Sequence, residues 1–212
     1  GSEMCIRDSN IIMVGEIRDL ETAKITAQAA LTGHLVLSTL HTNHAAGAIT
    51  RLVDMGLEEY LITASLLGVI AQRLVRKVCS HCREEYVPDE DEKNFFRCFF
   101  GSEVPPFMVR GRGCRYCSRT GYHGRTSIQE ILVLNRELRK LILDGAAAEV
   151  LQQEAARGGM RSLVTDGRRA VEEGVTTVDE IVRVTFSSIF ETGGGILDES
   201  AAYLSRLHDR ED

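Results

Sequence analysis

Two cysteine pairs, Cys79-Ser80-His81-Cys82 and Cys114-Arg115-Tyr116-Cys117, constrain this chain more than any other feature. A C-x-x-C turn lets two thiolates face one ion, and a second such turn completes a tetrahedral sulfur shell of the kind zinc takes. In an intracellular chain this arrangement points to metal, since a secreted disulfide scaffold would be shorter and more evenly studded with cysteine. Four protein ligands close the site, so Cys79, Cys82, Cys114 and Cys117 are expected to hold a structural Zn2+, with free thiols or a redox pair as the alternatives. The arginines around Cys114 are expected to stabilise thiolate charge. His81 and His123 lie nearby in sequence without being needed as ligands. The stretch between the pairs contains Phe95-Phe96-Arg97-Cys98-Phe99-Phe100, read as the small apolar core of a module over 79–127, with Cys98 inside that core.

The 212 residues suffice for one ordinary domain and a smaller module. Apolar residues at 43% and charged residues at 26% give the balance of a globular protein. No stretch reaches the run of about eighteen apolar residues that spans a membrane, and no basic-then-apolar leader is visible. A cytoplasmic location is therefore expected, with peripheral attachment to a membrane machine left open. The net charge of −6 opposes a general nucleic-acid binder, and no nucleic-acid partner is expected. Arg110, Arg112, Arg115, Arg119 and Arg125, interleaved with Tyr116 and Tyr122, keep a strand-binding zinc ribbon as an alternative.

Ile11 to Val14 form a short apolar run ended by Gly15, which predicts a strand buried on both faces of a parallel sheet. Asp19 can cap a helix running to about Thr32, and Leu35 to Leu40 reads as a second buried strand. Strand, helix, strand makes a right-handed crossover. Helices are predicted over 44–55 and 58–78, with Gly56 between them. A strand over 127–134 returns to the main domain. Short helices near 136–143, 146–157, 162–173 and 178–184 then suggest a C-terminal helical bundle. Gly193 to Gly195 reads as a linker into a tail helix over 196–208.

An apolar strand with an acid at its carboxyl end is how nucleotide-hydrolysing sheets present a carboxylate to magnesium or to the attacking water. Glu16 occupies that position in Ile-Ile-Met-Val-Gly-Glu-Ile-Arg-Asp, residues 11–19. The same pattern also fits a plain strand followed by an acidic helix cap. The neighbouring strand, in Thr-Gly-His-Leu-Val-Leu-Ser-Thr-Leu-His-Thr-Asn at 32–43, ends in polar groups that could sense a terminal phosphate.

These two stretches resemble the Walker B segment and the histidine box of the type II secretion and type IV pilus assembly ATPases. Residues 45–52, 68–76 and 174–185 are similar to that family too, so the likeness covers about 8–185. The form at 45–52 and 68–76 resembles the secretion branch. The resemblance implies a RecA-like P-loop ATPase of α/β fold with parallel strands, working as a homo-hexamer with Mg2+ and ATP. It implies pseudopilus assembly on inner-membrane secretion platform proteins, from a cytoplasmic position peripheral to that membrane. On this reading Glu16 and His41 are catalytic, while Arg18, Asp19, His34 and Thr39 bind nucleotide or couple subunits. The family's secretion and pilus-extension members also carry a tetracysteine insertion.

No G-x-x-x-x-G-K-[ST] loop occurs in the 212 residues. The resemblance puts that loop upstream, so the chain alone is expected not to hydrolyse ATP. The expected organisation is an unmatched leader at 1–9, a truncated RecA-like half-domain at 10–78 and the zinc module at 79–127. The returning strand and helical bundle follow at 128–185, then the linker and tail at 186–212. A type IV pilus extension ATPase and a non-catalytic zinc-stabilised interaction module are the alternatives.

Overall fold

The structure, a computed structural model, describes residues 10–191, with side chains as far as Thr185. The unmatched leader, the glycine linker and the tail helix lie outside the described residues. The chain divides into two compact units, Gly1–Ala71 with Ile131–Met160, and Gln72–Glu130 with Arg161–Asp212.

In the first unit, β1 (Ile11–Met13) pairs in parallel with β2 (Leu35–Leu37), Ile12 facing Val36 in the register. Parallel neighbours need a crossover, and α1 (Leu20–Leu31) supplies it, its first turn capped by the Asp19 carboxylate. The expectation of burial on both faces is not met. Ile11, Met13, Leu35 and Leu37 are 58%, 78%, 44% and 53% exposed, while Ile12, Val14 and Val36 are half-buried. Among the described residues this sheet has only two strands, which leaves one pleated face uncovered.

Helices α2 (Ala45–Asp54) and α3 (Glu59–Ser65) follow. The His44 ring caps α2, its Nδ1 accepting from the Gly47 N–H at 3.1 Å. Later in the chain, α5 (Arg136–Leu143) and α6 (Ala148–Arg157) join this unit, with α2 on α6 and α3 on α5. Their core contains Ile49, Ile62, Leu132, Leu138, Ile142 and Leu151.

The helix predicted over 58–78 is corrected. It stops at Ser65, Leu66 turns extended, and β3 (Gly68–Val78) follows. Ala71 and Val75 are buried while Ile70, Gln72 and Leu74 are exposed, a period of two that the small-residue helical spacing masked. β3 pairs with β6 (Tyr122–Val133). Gly68 needs its bare Cα there, because a Cβ would stand 2.7 Å from the Leu132 carbonyl oxygen.

In the second unit β4 (Arg83–Tyr86) and β5 (Met108–Gly111) form an antiparallel ribbon, flanked by α4 (Glu90–Phe100), α7 (Leu163–Glu172) and α8 (Val178–Glu191). The helices predicted as one C-terminal bundle are thus shared between the two units. Phe95, Phe96 and Phe99 are buried as expected, in a core with Val75, Met108, Ile128, Leu163, Val171 and Ile181, so they belong to the whole unit and not to a small module alone. Cys98 is exposed, not buried with them. At about 100° per residue it lies some 200° around the helix from Phe96.

Candidate functional site

Hydrogen bonding between β1 and β2 runs past their assigned ends. The Val14 N–H donates to the Leu37 carbonyl at 2.9 Å and the Ile17 N–H to the Thr39 carbonyl at 3.0 Å. The Thr39 hydroxyl donates to the Gly15 carbonyl at 2.6 Å, tying the two tips together beside Glu16. Both oxygens of Glu16 are engaged. Arg18 reaches Oε2 through Nε at 2.7 Å and Nη2 at 2.6 Å, and His41 Nε2 lies 3.2 Å from Oε1. The Arg18 hydrogen bond holds the Glu16 carboxyl below the usual carboxylate range, helped by the charge of Arg18 and the proximity of His41, against partial desolvation. The group is an ionised acceptor at a rigid strand end.

The structure thus brings together Glu16, Arg18, Thr39 and His41 from the predicted set. Asp19 is spent locally: its Oδ1 accepts the Thr22 N–H at 2.8 Å, and that bond lowers its pKa. His34 lies at the opposite ends of the strands. Leu35, beside it, donates to the Asn10 carbonyl, while the His34 ring meets the Ala29 carbonyl at 3.2 Å and the Thr32 hydroxyl at 3.3 Å. There it closes the end of α1.

The four cysteines of the two pairs converge, their sulfurs all within 4.8 Å of one another. Cys79 and Cys114 stand 3.9 Å apart, Cys82 and Cys117 3.8 Å, and Cys114 and Cys117 3.8 Å. A tetrahedron of four thiolates about 2.3 Å from a zinc ion has edges of about 3.8 Å, so the cage fits that ion. The Cys114 N–H donates to Cys117 Sγ at 3.1 Å and the Gly121 N–H at 3.3 Å. These backbone donors, Cys114 foremost, push the Cys117 thiol down to about 6, whereas burial pushes Cys82 up to about 12. The thiolate is thus favoured by backbone N–H groups, and three of the arginines credited with it have other partners. Arg110 and Arg112 pair with Glu84, and Arg115 lies over Tyr116. His81 stacks on Tyr116 at 4.0 Å, joining the two knuckles from outside.

Two supports of this centre escape a sequence reading. Gly111 and Gly121 cross at backbone contact, where a Cβ on either would strike the other residue. The glycine spacing around the second pair is the only trace of it. The buried carboxylate of Glu180 gathers Arg76 and Arg183, and only the Glu180–Arg183 spacing hints at that cluster.

An α/β fold that holds an acid, an arginine and a histidine at one pair of parallel strand tips has clear structural counterparts among motor ATPases. The crystal structure of the pilus retraction motor PilT with bound ADP aligns over 86% of this chain and 41% of its own, with TM-score 0.56 and 26% identity. The ATPase DotB of Legionella pneumophila shares the fold at TM-score 0.55. The chain belongs to the Type II/IV secretion system protein family, whose profile matches residues 4–183. It is 52% identical over 179 residues to the type II secretion system protein E of Pseudomonas aeruginosa, covering 84% of this chain and 35% of that protein. It is 47% identical to the type II secretion system ATPase E of Vibrio cholerae (86% and 36% covered) and 48% identical to the type IV pilus assembly ATPase PilB of Thermus thermophilus (84% and 20%). The chain spans about a third or less of the length of these relatives. Among the described residues no helix is long and apolar enough to cross a membrane.

Proposed function

We propose that this chain is the C-terminal part of a hexameric motor ATPase that powers type II protein secretion, coupling ATP hydrolysis to pseudopilus assembly. The observation that carries the reading is Glu16 at the tip of β1, held by Arg18 on one oxygen and by His41 on the other. Phosphoryl transfer is mostly positioning and charge neutralisation, and a carboxylate fixed on a strand end suits that task. Mg2+ and ATP would supply the metal and the transferred phosphoryl group. Of this chain's residues, Glu16 accepts hydrogen bonds from the water or hydrated metal, and His41 donates toward the phosphate side. Thr39 keeps the strand tips in register, and Arg18 holds the Glu16 carboxylate in place.

A phosphate loop would come from an upstream segment of the same polypeptide, as the family likeness implies. The uncovered face of Ile11, Met13, Leu35 and Leu37 supports further sheet or helix packing there. His34, at the other strand ends, is assigned subunit coupling and not chemistry. Asp19 is assigned a capping role, which places Arg18 next to Glu16. Zn2+ on the four cysteines would be structural. Homo-hexamer formation, docking on inner-membrane platform proteins and a cytoplasmic, peripheral location complete the proposal. Similarity to PilB supports a pilus-extension motor as the second reading.

The test joins this segment to its upstream half. The joined protein is expected to hydrolyse ATP, and Glu16→Gln is expected to abolish turnover while leaving nucleotide binding intact. Undiminished turnover by that variant would remove Glu16 from the mechanism.

A further inference from the structure

Outside the Glu16 site the described residues of the second unit bury two acidic side chains, Glu130 and Glu180, and Glu180 the more completely. The Glu180 side chain is 0% exposed. Its Oε1 accepts the Arg76 N–H at 2.8 Å and Arg183 Nη2 at 2.7 Å, and its Oε2 accepts Arg76 Nε at 2.8 Å and Arg183 Nε at 2.9 Å. A buried carboxylate is tolerated only while such partners stay in place.

Those partners lead directly to the cysteine centre. Arg76 sits on β3 three residues before Cys79, and its guanidinium lies over the Tyr122 ring at 4.3 Å. Tyr122 follows Gly121, whose carbonyl accepts the Cys79 N–H at 2.8 Å and whose own N–H donates to Cys117 Sγ. The Tyr122 hydroxyl meets the Thr177 hydroxyl at 2.6 Å, and Thr177 Oγ1 accepts the Glu180 N–H at 3.3 Å, capping α8. Two more bonds stitch the approach to α8 onto the same stretch of β3. The Val78 N–H donates to the Val175 carbonyl at 2.9 Å and the Thr176 hydroxyl to the Arg76 carbonyl at 2.8 Å.

We propose that Glu180 is a latch that makes the docking of helix α8 conditional on a metal ion held by Cys79, Cys82, Cys114 and Cys117. The proposal rests on reading the four cysteines as a metal centre. Bound metal cross-links residues 79–82 to 114–117. That holds Cys79 against Gly121 and Tyr122 against both Arg76 and Thr177. When the cross-link goes, the two knuckles are joined only by backbone bonds such as Cys79 to Gly121 and Arg112 to Cys82 and by the His81–Tyr116 stack, and Tyr122, at the first position of β6, is held less firmly. Arg76 then loses the ring beneath it, Thr177 loses its hydroxyl partner, and the Glu180 carboxylate is left with fewer donors in a buried setting. Releasing the first turns of α8 rehydrates that charge, so the helix comes away while the remaining core persists.

Hydrogen exchange by mass spectrometry on the zinc-loaded 212-residue chain, before and after a chelator removes the ion, tests this, with release read by a chromophoric indicator. On release, amides over 178–185 are expected to exchange about tenfold or more faster, with those of α2 unchanged. Glu180→Gln is expected to keep its zinc yet show fast exchange over 178–185 while loaded. Tyr122→Phe, a milder change, is expected to do the same to a lesser degree. Zinc release with unaltered exchange over 178–185 would overturn the latch and leave the metal centre standing, as would parental exchange in zinc-loaded Glu180→Gln. A chain that binds no zinc would overturn the metal reading itself, and the latch with it.

Discussion

Gly111→Ala probes the metal centre through backbone alone. A Cβ on Gly111 would stand 2.7 Å from both the carbonyl carbon and the Cα of Gly121, and closer still to the Gly121 oxygen. Ordinary contact begins near 3.4 Å, and neither partner is a flexible side chain, so relieving the two carbon contacts alone parts the backbones by about 0.7 Å, and the nearer oxygen demands more. The displacement reaches ligands of both pairs. The Arg112 N–H, next in the chain, donates to the Cys82 carbonyl at 3.1 Å, and the Gly121 N–H donates to Cys117 Sγ at 3.3 Å. Metal–ligand distances tolerate only about 0.2 Å, so the cage must strain or the strands must stay clashed. Overpacking of this kind costs about 1–3 kcal/mol. Where that cost falls on the loaded state, zinc binds about 5- to 140-fold more weakly, at about 1.4 kcal/mol per tenfold. Competition with a chromophoric chelator measures it. Gly124→Ala is the control: its φ of +77° carries backbone strain of about 1–2 kcal/mol, but nothing lies within 4 Å of the added methyl, so zinc affinity should hold. Parental zinc affinity in Gly111→Ala would refute the reasoning.

Three further outcomes follow from the same geometry. Gly167→Ala should destabilise α7 although alanine favours a helix by about 1 kcal/mol. The new Cβ would stand 2.8 Å from Ile181 Cγ2 and 3.0 Å from Cδ1, and overpacking at about 1–3 kcal/mol outweighs the gain; faster hydrogen exchange in α7 is the readout. Phe96→Ala removes a fully buried ring and should cost about 3–5 kcal/mol, seen as a lower urea midpoint for the second unit. Burial raises the Glu180 pKa, but hydrogen bonds from Arg183 and Arg76 outweigh it and hold the carboxyl below its ordinary value. Its contribution to stability is therefore full above the unfolded-state pKa and is lost as pH falls through the lower folded value. Acid titration of stability should show a shallower decline in Glu180→Gln over that window, and an unchanged profile would contradict the assignment.

Much of the first unit was legible because its signals are local. Asp19 and Gly33 bracket α1 by cap chemistry, and the apolar runs at 11–14 and 35–40 announce two strands. The run at 68–78 reads as a helix because Gly68, Ala71, Gln72 and Val75 satisfy a helical spacing, whereas in a strand only Ala71 and Val75 share the buried face. Only pairing with β6 decides between them. Cys98 reads as buried because its neighbours are phenylalanines, while the face it occupies on α4 is set by helix phase.

What the sequence alone determined is the inventory and its order: an acid two residues before an arginine at a strand end, a histidine at the next strand's end, and two cysteine pairs able to share one ion. These are short-range facts, written in spacing. Tertiary structure alone decided that Glu16 meets His41 while His34 lies at the far strand ends, since a parallel register separates residues that are close in sequence. It alone decided that Gly111 crosses Gly121 and that Arg76 reaches Glu180, 104 positions away. Such contacts depend on how distant segments close upon one another, and no periodicity along the chain encodes that.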